Sequence, residues 1–232
     1  MLPRLGLFAV LIGAACRPPA PAPVPSLLPA TDSLVAQLLV PLPPPPPDYD
    51  TLAWTEVDTA RTGWAADIRY ATTDNFMRAR VYDCGRCFLR PRVAAALERA
   101  AATLRARGYG LLLYDCYRPR PAQQALWEVT PDPRYVTPPA RGSMHNRGAA
   151  VDLTLTELPT GDTLDMGTPY DYFGREAWPA YTDLPEAIRE RRRILREALV
   201  AEGFRGIRTE WWHFAYPGTG AALSDWEWPC TD

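Results

Sequence analysis

Two histidines stand in the 232-residue chain, and both lie close to carboxylates. His145 sits in Ser143-Met144-His145-Asn146-Arg147-Gly148-Ala149-Ala150-Val151-Asp152, and His213 closes Glu210-Trp211-Trp212-His213. Catalytic zinc takes nitrogen and oxygen ligands at about 2.0–2.2 Å, three from the protein with one position left open. His145, Asp152 and His213 make up such a set. Glu210 then remains as the base for a water that the metal activates. The same residues also permit a plainer reading, with one imidazole satisfied in a core and the other at a surface. Spacing alone does not choose between the two.

The elements that must carry these residues are legible. Val93, Leu97, Ala100 and Leu104 recur at helical spacing within 90–107, with Pro91 in the first turn and Gly108 as the stop. Gly110 to Cys116 reads as a buried strand, Pro121 to Val129 as a helix, and Pro185 to Glu202 as a further helix ending at Gly203. Ala149, Val151, Leu153 and Leu155 alternate with Ala150, Asp152, Thr154 and Thr156, a strand pattern that puts Asp152 opposite the apolar set. Gly148 permits the tight bend that brings His145 and Asp152 to one point. A strand is expected over 207–216. On a strand, residues three apart face opposite ways, so Glu210 and His213 share a site only through a twist or bulge. The mixture lacks βαβ repetition, so the fold class expected is α+β, a mainly antiparallel sheet with helices packed against it.

Composition excludes several chemistries. All 25 basic residues are Arg, which removes Schiff-base and P-loop lysine chemistry. A net charge of −2 excludes a nucleic-acid binder working by bulk phosphate neutralisation. Arg189 to Arg193, with Glu186 and Glu190, reads as a solvated helix face.

The N-terminal region reads as an export signal. Arg4 precedes an apolar run from Leu5 to Ala15, too short to span a bilayer. Gly13-Ala14-Ala15-Cys16 resembles a lipobox, in which Cys16 is lipidated. Residues 17–48 are a Pro-rich spacer, with 12 of the chain's 26 Pro lying in 17–47. The catalytic domain is expected over 49–232, and the destination is the cell envelope, lipid-anchored to a membrane. Cys84, Cys87, Cys116 and Cys230 form an even set in an exported chain and read as disulfides, with three pairings open.

Ser-x-His-x-x-Gly-x-Ala-x-Asp, followed by Glu-x-x-His, resembles the zinc D-alanyl-D-alanine peptidases, specifically the VanX-type dipeptidases. Tyr70 to Phe76, Asp115-Cys116-Tyr117-Arg118-Pro119 and Leu164 to Asp171 extend the likeness over most of 64–216. The resemblance implies a hedgehog-like zinc peptidase fold and hydrolysis of the small dipeptide D-Ala-D-Ala. It implies one Zn²⁺ per chain on His145, Asp152 and His213, with Glu210 as base and later as proton donor. Arg118 would stabilise the oxyanion and Asp115 would orient it. Tyr70 and Asp171 would hold the substrate ammonium, and Ser143 would bind near the carboxylate. Most such enzymes are cytoplasmic, so an exported relative is expected to act in cell-wall dipeptide turnover or scavenging. A D,D-carboxypeptidase or endopeptidase on longer wall peptides, and a non-catalytic wall-binding lipoprotein, are the competing readings.

Overall fold

The computed structural model describes residues 46–230. Cys16, the lipobox and the Pro-rich spacer before Pro46 lie outside them.

Five strands form the main sheet: β2 (Ala65–Ala66), β4 (Tyr109–Asp115), β5 (Ala150–Glu157), β7 (His213–Ala215) and β6 (Arg205–Gly206), in that spatial order. Only β2 runs parallel to its neighbour; the β4–β5, β5–β7 and β6–β7 pairs are antiparallel. β1 (Thr55–Glu56) and β3 (Phe88–Leu89) pair separately. The α+β expectation holds.

Helix Pro91–Arg105 begins on Pro at its first position, where a missing N–H costs nothing. It buries Val93, Leu97, Ala100 and Leu104. Helix Glu186–Ala201 packs against it and against β5, burying Ile188, Leu195, Ala198 and Leu199. Val151, Leu153 and Leu155 complete this core from β5. Arg192 departs from the solvated-face reading of its cluster. It is buried, and its guanidinium donates to the carbonyls of Met166 and Glu176, tying the helix to the loop after β5.

The strand expected over 207–216 is corrected. Regular pairing covers only Arg205–Gly206 and His213–Ala215, and 207–212 is a loop between them. Thr209 in that loop is buried and donates to the Arg134 carbonyl. The aromatic richness of the segment therefore reflects burial of Trp211 and Trp212, not extended pairing.

The cysteines pair as Cys84–Cys230 and Cys87–Cys116. The first fastens the C-terminal segment, which lies across the core without regular structure. Ser224 N–H donates to the Asn146 carbonyl, and Tyr117 donates its hydroxyl to the Trp226 carbonyl.

Candidate metal and active site

Three strands bring the site to one level. Asp152 on β5 pairs across the ladder with Asp115 on β4 and with His213 on β7. Directly paired residues of neighbouring strands point to the same face. His145 enters from a single 3₁₀ turn, His145–Arg147, closed by Gly148 in the left-handed conformation at φ 65°. A side chain at Gly148 is excluded twice, by that φ and by the Trp54 ring, which stands 2.4 Å from where a Cβ would be.

His145 Nε2, Asp152 Oδ1 and His213 Nδ1 form a tight triangle. The sides are 3.1 Å between the imidazoles, 3.0 Å from His213 to Asp152 and 3.3 Å from His145 to Asp152. Tetrahedral zinc with bonds of about 2.0–2.1 Å requires ligand atoms about 3.3–3.4 Å apart. The triangle fits that ion, and the donor set is the N/O set zinc takes.

The groups behind the ligands fix their orientation. His145 donates Nδ1–H to the Cys116 carbonyl at 2.6 Å, which leaves the Nε2 lone pair facing the triangle. Tyr170 donates its hydroxyl to Asp152 Oδ2 at 3.0 Å, leaving Oδ1 for the metal. Burial holds the His213 pKa below its ordinary value, so this imidazole is neutral and ready to ligate. Burial works to raise the Asp152 pKa, but its contacts with His145 and His213 outweigh this and leave it lowered.

Glu210 Oε2 lies 4.0 Å from His213 Nδ1, because Glu210 belongs to the loop and not to a strand. Its burial, with Asp152 and Asp171 nearby, raises its pKa well above the ordinary carboxyl value. A divalent cation on the triangle acts in the opposite direction.

Arg118 is buried and doubly held. Its Nε and Nη2 donate to Asp115 Oδ2 at 3.0 and 2.7 Å, and Nη1 donates to Gln123 Oε1 at 3.0 Å. Burial opposes its charge, but Asp115 together with Tyr70, Tyr82 and Tyr170 outweighs this and raises the Arg118 pKa. Asp115 in turn accepts from the Tyr82 hydroxyl at 2.9 Å. The expected Asp115–Arg118 partnership is thus present.

Tyr70 donates to Asp171 Oδ2 at 3.0 Å. Asp171 has φ 57°, a conformation uncommon outside glycine, and burial together with Asp152 pushes its pKa up to about 8. Ser143 lines the same cavity, while its Oγ accepts the His145 backbone N–H at 3.2 Å. Every expected site residue from Tyr70 to His213 therefore lines this cavity or, like Asp115, holds a side chain that does. Cys16 lies outside the described residues.

Several residues that hold the site carried no chemical signal in the sequence. Gln123 falls on the buried face of helix Arg120–Val129. Asn146 donates to the Arg118 carbonyl and accepts from Ser143 N–H, locking the His145 turn to the Arg118 segment. Tyr170 and Asn146 lie within the quoted segments Leu164 to Asp171 and Ser143 to Asp152, and that position was the signal available for them.

The fold and site together define a metallopeptidase with a His-Asp-His centre. Residues 50–230 match the Peptidase M15 family, described as D-Ala-D-Ala dipeptidase. The chain belongs to that family. Among relatives named D-alanyl-D-alanine dipeptidase, one from Escherichia coli K12 is 37% identical over 65% of this chain and 78% of its own. One from Enterococcus faecalis is 34% identical over 66% and 88%, and one from Enterococcus faecium 31% over 70% and 91%. Among solved structures, the VanY D,D-pentapeptidase with Zn(II) is 19% identical over 57% of this chain and 74% of its own, with a TM-score of 0.36.

Proposed function

We propose that this protein hydrolyses D-Ala-D-Ala to two D-alanines, using one zinc held by His145, Asp152 and His213. The observation that carries this is the ligand triangle with Glu210 at its edge. Bound zinc supplies Lewis acidity and lowers the pKa of water towards about 7. Glu210 takes the proton from the attacking water and delivers it to the departing amine nitrogen. Arg118, held rigidly by Asp115 and Gln123, points fixed N–H donors at the charge that develops on the carbonyl oxygen. Asp171 pairs with the substrate ammonium once ionised, and Tyr70 fixes its carboxyl orientation. Ser143 O–H remains free to donate towards the substrate carboxylate.

An ammonium clamp selects a free N-terminus, which favours the dipeptidase over enzymes acting on longer wall peptides. An exported, lipid-anchored enzyme in cell-wall dipeptide turnover is supported by the Cys16 motif, the Pro-rich spacer and the two disulfides, which suit an oxidising compartment.

The test is D-alanine release from D-Ala-D-Ala and from N-acetyl-D-Ala-D-Ala, with and without chelator, alongside Glu210→Ala. The free dipeptide is expected to be cleaved and the acylated one spared. The variant should keep its metal and lose turnover by about 10²–10⁴. Equal cleavage of the acylated peptide would overturn the ammonium clamp, and undiminished turnover in the variant would remove the base.

A further inference from the structure

The cavity has a volume of about 830 Å³, within the range that takes whole drug-sized ligands and far more than two alanines fill. Its lining carries charges of both signs. Asp152, Asp171 and Glu210 converge at the metal and ammonium end and are the acids that line it, among the described residues. Arg134, Arg141, Arg147 and Arg208 also line it, and Arg141 stands two residues before Ser143.

These arginines are not equally committed. Arg134 pairs with Asp132, and Arg147 donates to the Ala221 carbonyl. Arg141 and Arg208 are exposed and form no ion pair with any described residue; Arg208 rests 4.8 Å over the Trp178 ring. Both stand on fixed backbone. The Arg141 and Gly142 amides donate to the Pro138 carbonyl. Gly142 has φ 72°, and Leu223 closes over it so tightly that a Cβ would lie 2.4 Å from the Leu223 side chain. Thr209, next to Arg208, donates to the Arg134 carbonyl and ties the two segments together.

Resting on the dipeptidase reading, we infer that these arginines select the second residue of the substrate, favouring D-alanyl dipeptides whose C-terminal residue bears a side-chain carboxylate. An anionic group on the first residue would meet three carboxylates. On the second residue, bound towards Ser143, it meets Arg141 and Arg208. Both guanidiniums present planar donor forks suited to a carboxylate. The reaction itself is unchanged: water adds across the peptide bond, releasing D-alanine and the acidic D-amino acid.

The test compares kcat/KM of the zinc-loaded enzyme for D-Ala-D-Glu, its uncharged isostere D-Ala-D-Gln, and D-Ala-D-Ala. The wild type is expected to favour D-Ala-D-Glu over D-Ala-D-Gln by about tenfold, carried by KM and reduced in high salt. In the double variant Arg141→Gln/Arg208→Gln that ratio is expected to fall to near one. A ratio of one in the wild type, or one unchanged in the double variant, would overturn the inference while leaving D-Ala-D-Ala hydrolysis standing. Failure to cleave any of the three would overturn the dipeptidase reading and this inference with it.

Discussion

Asp115 stands directly across the ladder from Asp152 because β4 bulges between Leu113 and Asp115. Leu113 pairs with Leu153, yet the next pairing is Asp115 with Asp152, so Tyr114 is the extra residue. A regular ladder would put Tyr114 opposite Asp152 and turn Asp115 towards the apolar core. The bulge turns Asp115 to the catalytic face, where it carries Arg118. Tyr114 then stacks on Tyr170, at 4.7 Å between ring centres, and Tyr170 holds Asp152.

Removing Asp115 should therefore unfold as well as inactivate. Asp115→Ala leaves a buried guanidinium without its anion and the Tyr82 hydroxyl without its acceptor. Breaking a buried pair from one side costs about 3–5 kcal/mol. Urea unfolding of the variant should show a loss of that size, and a loss below about 1 kcal/mol would contradict the buried pairing.

Tyr170→Phe should act on the metal rather than on the fold. It removes the one hydrogen bond that, among the described residues, orients Asp152 from behind. Losses of this kind weaken metal affinity by about 10–100-fold. Zinc competition against a chromophoric chelator measures it, and an unchanged affinity would mean that the hydroxyl does not orient the ligand.

Asp171 gives the metal-free protein a distinctive pH dependence. Its folded pKa of about 8 lies above its ordinary value of 3.8. Between those values the unfolded chain has lost the proton and the folded protein keeps it. Stability from this group is thus intact below about pH 4 and falls as pH rises towards 8. Asp171→Asn should flatten that decline, so that the variant gains on the wild type from pH 5 to pH 8 in thermal scans. Parallel curves for the two proteins would refute the assignment.

The Cys87–Cys116 bridge joins the residue just before β3 to the residue whose carbonyl holds His145. Crosslinking a loop of this length contributes about 3–4 kcal/mol in the chain-entropy account. The paired Cys87→Ser/Cys116→Ser variant should lose about 2–4 kcal/mol in chemical denaturation and bind zinc more weakly. Stability at the wild-type level would contradict the first expectation.

Much of this was legible in the sequence, for identifiable reasons. The helices Pro91–Arg105 and Glu186–Ala201 announced themselves through apolar spacing, a proline start and a glycine stop, all local signals. That His145, Asp152 and His213 could meet at one point was legible because two histidines leave few ways to build a metal site. The placement of Glu210 was not. Aromatic density mimics a strand, and only tertiary contacts such as Thr209 to Arg134 show that 207–212 is a loop. The bulge at Tyr114 was likewise hidden, since it is fixed by pairing with β5. The disulfide pairing depended on which distant segments meet, which no local pattern states.

The most direct test of the account is zinc titration of metal-stripped protein, with metal bound per chain and D-alanine release followed in the same samples. Activity is expected to rise to a plateau at one zinc per chain. His213→Ala is expected to lose tight binding, while Glu210→Gln retains it and stays inactive. Full turnover without metal, or zinc affinity undiminished in His213→Ala, would rule out the one-zinc site.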